Sequence, residues 1–273
     1  MNMGSILNDF SATTVARANE ANLCDVYRLL RHSPQIHIED GANLLRVDCV
    51  VPHPLVNRVL WARLSAEDRD AQIAETLNYY RTRNLPISWI VGPSSHPDDL
   101  SDHLQAHGCT FQGNMRGMAV ALSALPDELP QPRGFAVLEA MDDSALTHCI
   151  EVGSIGFDVD LEVVEVFRPA IVHGGFGAHA PIRCFVAYLE GKPVACSALF
   201  LGAGVAGIYN VATVPEARRQ GIGALITAYP LRIARQLGYQ IGILQASEMG
   251  YPVYQRLGFQ ECCQFPMYGS ELQ

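Results

Sequence analysis

The sequence predicts an α/β protein built from two tandem units of one plan, on three observations. A proline-rich stretch, SALPDELPQPRG at 123–134, separates two apolar, patterned segments. On both sides of it the order helix, strand, short helix, strand recurs: LPISWIVGPSS (85–95) parallels LGYQIGILQAS (237–247), and LQAHGCTF (104–111) parallels YQRLGFQE (254–261). The 273 residues are 49% hydrophobic and 17% charged, enough to fill a core in each unit. The expected boundaries are a first domain at 1–125, a linker at 126–134 and a second domain at 135–273. Tandem duplication is the reading carried forward; chance likeness between two ordinary α/β units is its alternative.

In the first half, strands are expected at 43–50 and 56–64. A helix at 67–83, a strand at 87–91, a helix at 98–107 and a strand from Cys109 follow. In the second half the pattern predicts a strand at 135–139, a helix at 142–152 and a second helix at 160–172, broken or ended near Pro169. Strands at 182–189 and 194–201, joined by a Glu-Gly-Lys-Pro turn, make a hairpin, and 205–214 adds a third strand. A helix at 221–237 follows, with Leu225, Ile226, Leu231, Ile233 and Leu237 on its buried face and Gly238 as its C-terminal cap. A strand at 240–245, a short helix at 251–257 and a closing strand from Phe259 complete the order.

Charge and composition exclude several classes. The formal net charge is −9 and Lys192 is the one lysine, so there is no basic face for nucleic acid. Residues 193–215 run without a charge and are long enough for a bilayer span. Gly202, Gly204, Gly207 and Asn210 interrupt that run, which favours two strands around a Gly-Ala-Gly turn. The first residues, MNMGSILNDFS, lack the cationic start and apolar stretch of a secretory signal. The eight cysteines include no Cys-x-x-Cys, and the adjacent Cys262 and Cys263 are expected on opposite faces of a strand. Reduced thiols in a soluble cytoplasmic protein are the expectation.

The segment that carries most chemistry is Val211-Ala212-Thr213-Val214-Pro215-Glu216-Ala217, followed by Arg218-Arg219-Gln220-Gly221-Ile222-Gly223-Ala224. A strand enters a short loop and two glycines open a helix. Bare amides and the helix dipole at such a start attract phosphate, and glycine lets it approach the backbone. A Gly-x-Gly alone is weak; an arginine three residues before the first glycine sharpens it. About thirty residues on stands Ala246-Ser247-Glu248-Met249-Gly250-Tyr251-Pro252-Val253-Tyr254-Gln255-Arg256-Leu257-Gly258-Phe259.

Together, Arg-x-x-Gly-x-Gly and Tyr-x-x-Leu-Gly-Phe resemble the GNAT superfamily of acyl-CoA N-acyltransferases, over roughly residues 135–269. The N-terminal half resembles a degraded copy. The resemblance implies two tandem GNAT-like folds, each a mixed, mostly antiparallel central sheet flanked by helices. It implies acetyl-CoA as co-substrate and no metal. Val211, Ala212 and Thr213 fall where the family holds the pantetheine arm and polarises the thioester carbonyl. Arg218, Arg219, Gln220, Gly221, Ile222, Gly223 and Ala224 fall on the pyrophosphate loop. Ser247 takes a pantetheine-contact position where many members carry Asn, and its hydroxyl is also suited to capping the next helix. Tyr254 falls where many members keep a phenol beside the CoA sulfur, implying a general acid for the leaving thiolate; the alternative is a half-buried aromatic.

The base has no distinguishing spacing: Tyr209, Asn210, Gln245, Glu151 and Glu162 are all plausible neighbours. His173 and His179 lie in the Gly-rich VHGGFGAHAP, expected as a loop over the acceptor site with no third ligand for a metal. In the first half, Ser65-Ala66-Glu67-Asp68-Arg69-Asp70 stands where the phosphate loop belongs, acidic and without glycine, and Leu104 replaces Tyr254. That copy is expected to bind no CoA, with Trp61 and Trp89 in its core. The function expected is transfer of acetyl from acetyl-CoA directly to a primary amine of a small molecule, cationic or neutral. A peptide or protein amine, or a non-catalytic CoA-binding regulatory module, is the alternative. Oligomeric state is left open.

Overall fold

In the computed structural model, which describes residues 5–270, the first half contributes α1 (Ala12–Arg28), β1 (Ile36–Asp40), β2 (Leu44–Cys49) and β3 (Arg58–Ala62). It continues with α2 (Arg69–Arg81), β4 (Ile87–Ile90), α3 (Leu100–Ala106) and β5 (Thr110–Ala121). The second half begins with β6 (Phe135–Glu139), α4 (Asp143–Phe157), α5 (Leu161–Glu165), α6 (Arg168–Gly174) and β7 (Ile182–Leu189). Then come β8 (Lys192–Gly202), β9 (Val205–Thr213), α7 (Ile222–Gln236), β10 (Ile241–Ala246), α8 (Tyr251–Arg256) and β11 (Gln260–Ser270).

Local chemistry accounts for these elements. In β2, alternate residues Leu45, Val47 and Cys49 are buried, as a strand with one covered face requires. Residues 194–200 of β8 are buried without interruption, because α4 packs on one face and α7 on the other. The uncharged run at 193–215 is therefore a hairpin, and no described helix is long and apolar enough to cross a membrane. The Asp142 carboxylate accepts from the Ala145 amide at 2.8 Å and starts α4. The repeat shows in matching closures: Cys109 N–H donates to the Leu104 carbonyl as Phe259 N–H does to that of Tyr254, both at 3.0 Å.

The strands form one mixed, mostly antiparallel sheet in the order β1-β2-β3-β4-β11-β5-β10-β9-β8-β7-β6. Its centre is an exchange. β5, last strand of the first half, pairs with β10 of the second from Ile241↔Ala121 to Ala246↔Arg116. β11, last of the second half, pairs with β4 of the first, and β5 and β11 pair with each other. The parallel pairs, β3 with β4 and β9 with β10, are each registered over two residues before the strands part. The segment after residue 125 is strapped down, Arg232 donating to the Pro126 carbonyl and Arg235 to the Asp127 carboxylate at 2.7 Å.

Several expectations change. The α1 helix and β1 have no counterpart in the sequence reading. The helix expected at 160–172 is two, α5 and α6, with Pro169 in the first turn of the second. Leu237 is exposed, lying past the end of α7. A β-bulge between Glu261 and Cys263 breaks the alternation of β11, so the Cys262 and Cys263 sulfurs lie 3.8 Å apart instead of on opposite faces. All eight cysteines are free thiols.

Candidate active site

Where β9 and β10 part, β9 keeps β8 on one side only. Its other edge, from Ile208 to Thr213, has no strand beside it. A bulge interrupts this open edge: register shifts against β8, and Asn210 takes a left-handed φ of +52°. Val211, Ala212 and Thr213 follow the bulge. Gly156 at the end of α4 lies against them, since a methyl group there would sit 2.7 Å from the Ala212 Cβ. Any larger residue would push α4 off this strand.

Beyond Thr213 the chain turns into α7. Among the described residues, none of the amides of Arg219, Gln220, Gly221, Ile222 and Gly223 donates to a protein acceptor; Ala224 is the first to do so, to the Gly221 carbonyl at 3.1 Å. Arg219 and Gly221 both have positive φ, +63° and +80°. That backbone turns successive N–H groups outward at the start of a fifteen-residue helix, the arrangement that binds phosphate. A Cβ on Gly221 would meet nothing within 4 Å, so the glycine serves its φ and leaves open space for a ligand. Ile222 is buried and anchors the loop, whereas Gln220 and Arg219 are exposed.

Arg218 has a different place from the one its position implies. Its guanidinium donates to the Thr213 carbonyl at 3.1 Å and the Gly156 carbonyl at 2.9 Å, bracing α4 against the end of β9. Ser247 is exposed, and its hydroxyl accepts from the Gly250 amide at 3.2 Å, holding the turn into α8. Val253 of α8 flanks Gly223, together with the Thr213 hydroxyl. The next residue, Tyr254, is 8% exposed, folds over Gly250 and makes no protein hydrogen bond among the described residues. Burial pushes its phenol up to about 12, so it holds its proton at neutral pH.

The candidates for a base separate clearly. The Tyr209 hydroxyl donates to the Asn22 side chain at 2.6 Å, and burial holds the phenol neutral. The Gln245 amide donates to the Asn19 side chain at 2.6 Å. Both are thus tied to α1, an element absent from the sequence reading. Glu151 and Glu162 are exposed on α4 and α5. Rather than sitting on a loop, His173 lies in α6 with its ring stacked 4.1 Å from that of His32. The described residues hold no cluster of three metal-binding side chains.

In the first half the corresponding edge is filled by its own chain. His96 N–H donates to the Ala62 carbonyl and Leu64 N–H to the His96 carbonyl, both at 2.9 Å, so residues 94–96 lie along the end of β3 as a strand would. Trp61 and Arg63 clamp Ser94 from the side. Leu104 and Trp89 are fully buried core residues, and Trp61 is half-buried. This segment covers the edge that stands open in the second half; sequence reading assigned residues 92–97 no element, between the strand expected at 87–91 and the helix at 98–107.

Residues 180–261 match the family model of the acetyltransferase (GNAT) domain. No curated protein matches the chain in sequence. Solved structures match nearly its whole length at low identity. A GCN5-related N-acetyltransferase from Kribbella flavida is 18% identical, with TM-score 0.66 over 93% of this chain and 95% of that one. A tandem GNAT protein from the clavulanic acid biosynthesis pathway is 14% identical, with TM-score 0.61 over 97% and 96%. A GCN5-related N-acetyltransferase from Sphaerobacter thermophilus is 14% identical, with TM-score 0.60 over 98% and 95%. These likenesses establish the fold.

Proposed function

We propose that the chain, whose residues 180–261 match the acetyltransferase (GNAT) domain, is an acyltransferase of that superfamily and moves an acetyl group from acetyl-CoA directly to the primary amine of a small molecule. The observation that carries this is the pairing of five unbonded amides, Arg219 to Gly223, with the open edge of β9. The first suits a pyrophosphate and the second an extended amide chain, and CoA carries both. When bound, CoA supplies a thioester.

The residues then divide the work. The β9 edge at Val211, Ala212 and Thr213 orients the pantetheine arm and stabilises charge developing on the carbonyl oxygen. The amine nitrogen forms the new C–N bond as the C–S bond breaks. Its proton goes to water: Tyr209 and Asn210 at the bulge carry no carboxylate, and Glu151 and Glu162 are exposed on α4 and α5. Tyr254 gives the leaving thiolate its proton, and its raised pKa keeps the phenol protonated through neutral pH. No acyl-enzyme is involved: burial pushes the nearby Cys196 thiol up to about 12, which keeps it from acting as a nucleophile. The eight free thiols fit a cytoplasmic site of action.

The test is thiol release from acetyl-CoA with a mixed panel of amines, alongside melting temperature with and without acetyl-CoA. Release with at least one amine supports the transferase. Stabilisation without release from any amine points to a CoA-binding regulatory module, and neither effect removes the site.

A further inference from the structure

Beside the Asn210 bulge lies a cavity of about 120 Å³, between the sheet and the helices α4 to α6. Its walls are Leu146 and Ile150 of α4, Val163 and Val164 of α5, and Phe167 and Ile171 around α6. Its floor is the strand side, where Cys184, Cys196 and Ala198 face it. The first half of the chain closes it with Tyr27 and Leu55. Phe157, 43% exposed, stands where the cavity meets solvent.

None of the lining residues is an acid or a base. The Cys149 and Cys196 thiols are both pushed up, Cys149 by its hydrogen bond with Cys184 and by burial, Cys196 by burial, so they stay neutral. The charge that adjoins the wall is a cation: Arg58 donates to the Tyr27 hydroxyl at 3.0 Å. A second ammonium on an acceptor would therefore be desolvated here with no carboxylate to meet it, and would face Arg58. An uncharged hydrocarbon gains burial at no such cost. An apolar cavity of roughly 150 Å³ accommodates benzene, so this one suits about four or five carbon atoms.

We propose that this cavity seats an uncharged hydrocarbon group of one reacting partner, either an acyl chain longer than acetyl or the apolar body of the amine. Acceptors carrying several positive charges are excluded, which keeps the neutral side of the cationic-or-neutral expectation drawn from the acidic net charge. Because Asn210 both lines the cavity and stands on the open edge of β9 directly before Val211, such a group reaches it with its reactive end at Val211–Thr213. The proposal rests on the acyltransferase reading for its meaning in catalysis, but the cavity's affinity for hydrocarbon is testable without it.

The binding probe is n-butane, followed by saturation-transfer NMR without CoA, against the wild-type chain and Gly153→Leu. Gly153 lines the cavity and the leucine would fill it; Cys149→Leu is the second filler should that variant fail to fold. Saturable binding to wild type and its loss in a folded filler variant are expected; absence of binding to wild type overturns the proposal. The kinetic arms use acetyl-, butanoyl-, hexanoyl- and octanoyl-CoA with one amine, and acetyl-CoA with linear monoamines of two to eight carbons and with spermidine. In one arm kcat/KM should rise by roughly tenfold per methylene to an optimum near four or five carbons and then fall. The arm that shows this identifies the partner. Flat profiles in both arms, or spermidine as the best acceptor, overturn it. If butane binds while acetyl-CoA neither binds nor reacts, the acyltransferase reading fails and the cavity's preference stands.

Discussion

Gly221 and Tyr254 were both legible in the sequence, and each supports a prediction at its own position. Gly221→Glu places a carboxylate among the unbonded amides and a side chain on a left-handed backbone, so acetyl-CoA should no longer raise the melting temperature. Undiminished stabilisation, read by thermal shift, would remove the phosphate-loop assignment. Tyr254→Phe should lower kcat by about 10²-fold or more with little change in acetyl-CoA affinity. With the wild-type phenol pushed up to about 12, the alkaline limb of the kcat profile should not show Tyr254 ionising below about pH 10. A tyrosine-dependent fall near neutrality would contradict the burial that sets this value. Arg218 shows what spacing leaves out. Its basic position matches a phosphate contact, but its partners, the carbonyls of Thr213 and Gly156, come from two separated segments. Only the fold reveals that a cation needed to brace α4 is occupied.

Among elements, the sequence hid β1 and, with more consequence, α1. Its inward face includes Asn19, Glu20 and Asn22, which pattern reading assigns to solvent. Each finds a partner far along the chain: Asn19 holds Gln245, Asn22 holds Tyr209 and the Gly202 carbonyl, and Glu20 accepts the Ser94 amide. Asn22→Leu should cost about 1–3 kcal/mol, since the Tyr209 hydroxyl and the Gly202 carbonyl are then buried without partners. Chemical denaturation measures it, and an unchanged midpoint would show that water replaces the asparagine. Glu20 gives a pH signature. Burial raises its pKa in the folded chain above the usual carboxylate value, so its contribution to stability is present below the unfolded pKa and lost as pH rises through the folded one. Glu20→Gln should therefore melt higher than wild type at pH 7, with the difference closing below about pH 4.5. A difference that is constant with pH would assign the effect to packing. The strands and helices of the second half were legible because their apolar periods are regular and their turns carry glycine or proline. The bulge at Cys262 was not, because one inserted residue leaves no mark on composition.

For the whole molecule, the tandem plan was readable from the repeated segments, but the exchange of β5 and β11 was not. Both end strands carry nearly the same pattern, so either would satisfy either slot, and pairing partners are set only when both halves are present. The unequal competence proposed for the copies rests on one difference between them: the edge of β3 is covered by residues 94–96, whereas that of β9 is free of a paired strand among the described residues. Isothermal titration should accordingly give one acetyl-CoA per chain; two would refute the closed first copy. Expressed separately, residues 1–125 and 126–273 should each aggregate or stay partly unfolded through an unpaired edge at β4 or β10, and recover a folded complex when refolded together. Size-exclusion chromatography reads the outcome, and a stable monomeric second half would mean that β11 can turn back to β10.

The exchange also makes the proposed activity of one half depend on the architecture of the other. A chain lacking residues 1–125 would keep each proposed CoA-binding residue, yet β10 would lose its neighbour and the apolar cavity would lose Tyr27 and Leu55. Under selection for that activity, substitutions in the first half should be tolerated along the outer edge of β3 and opposed at β5, α1 and the Leu55 loop.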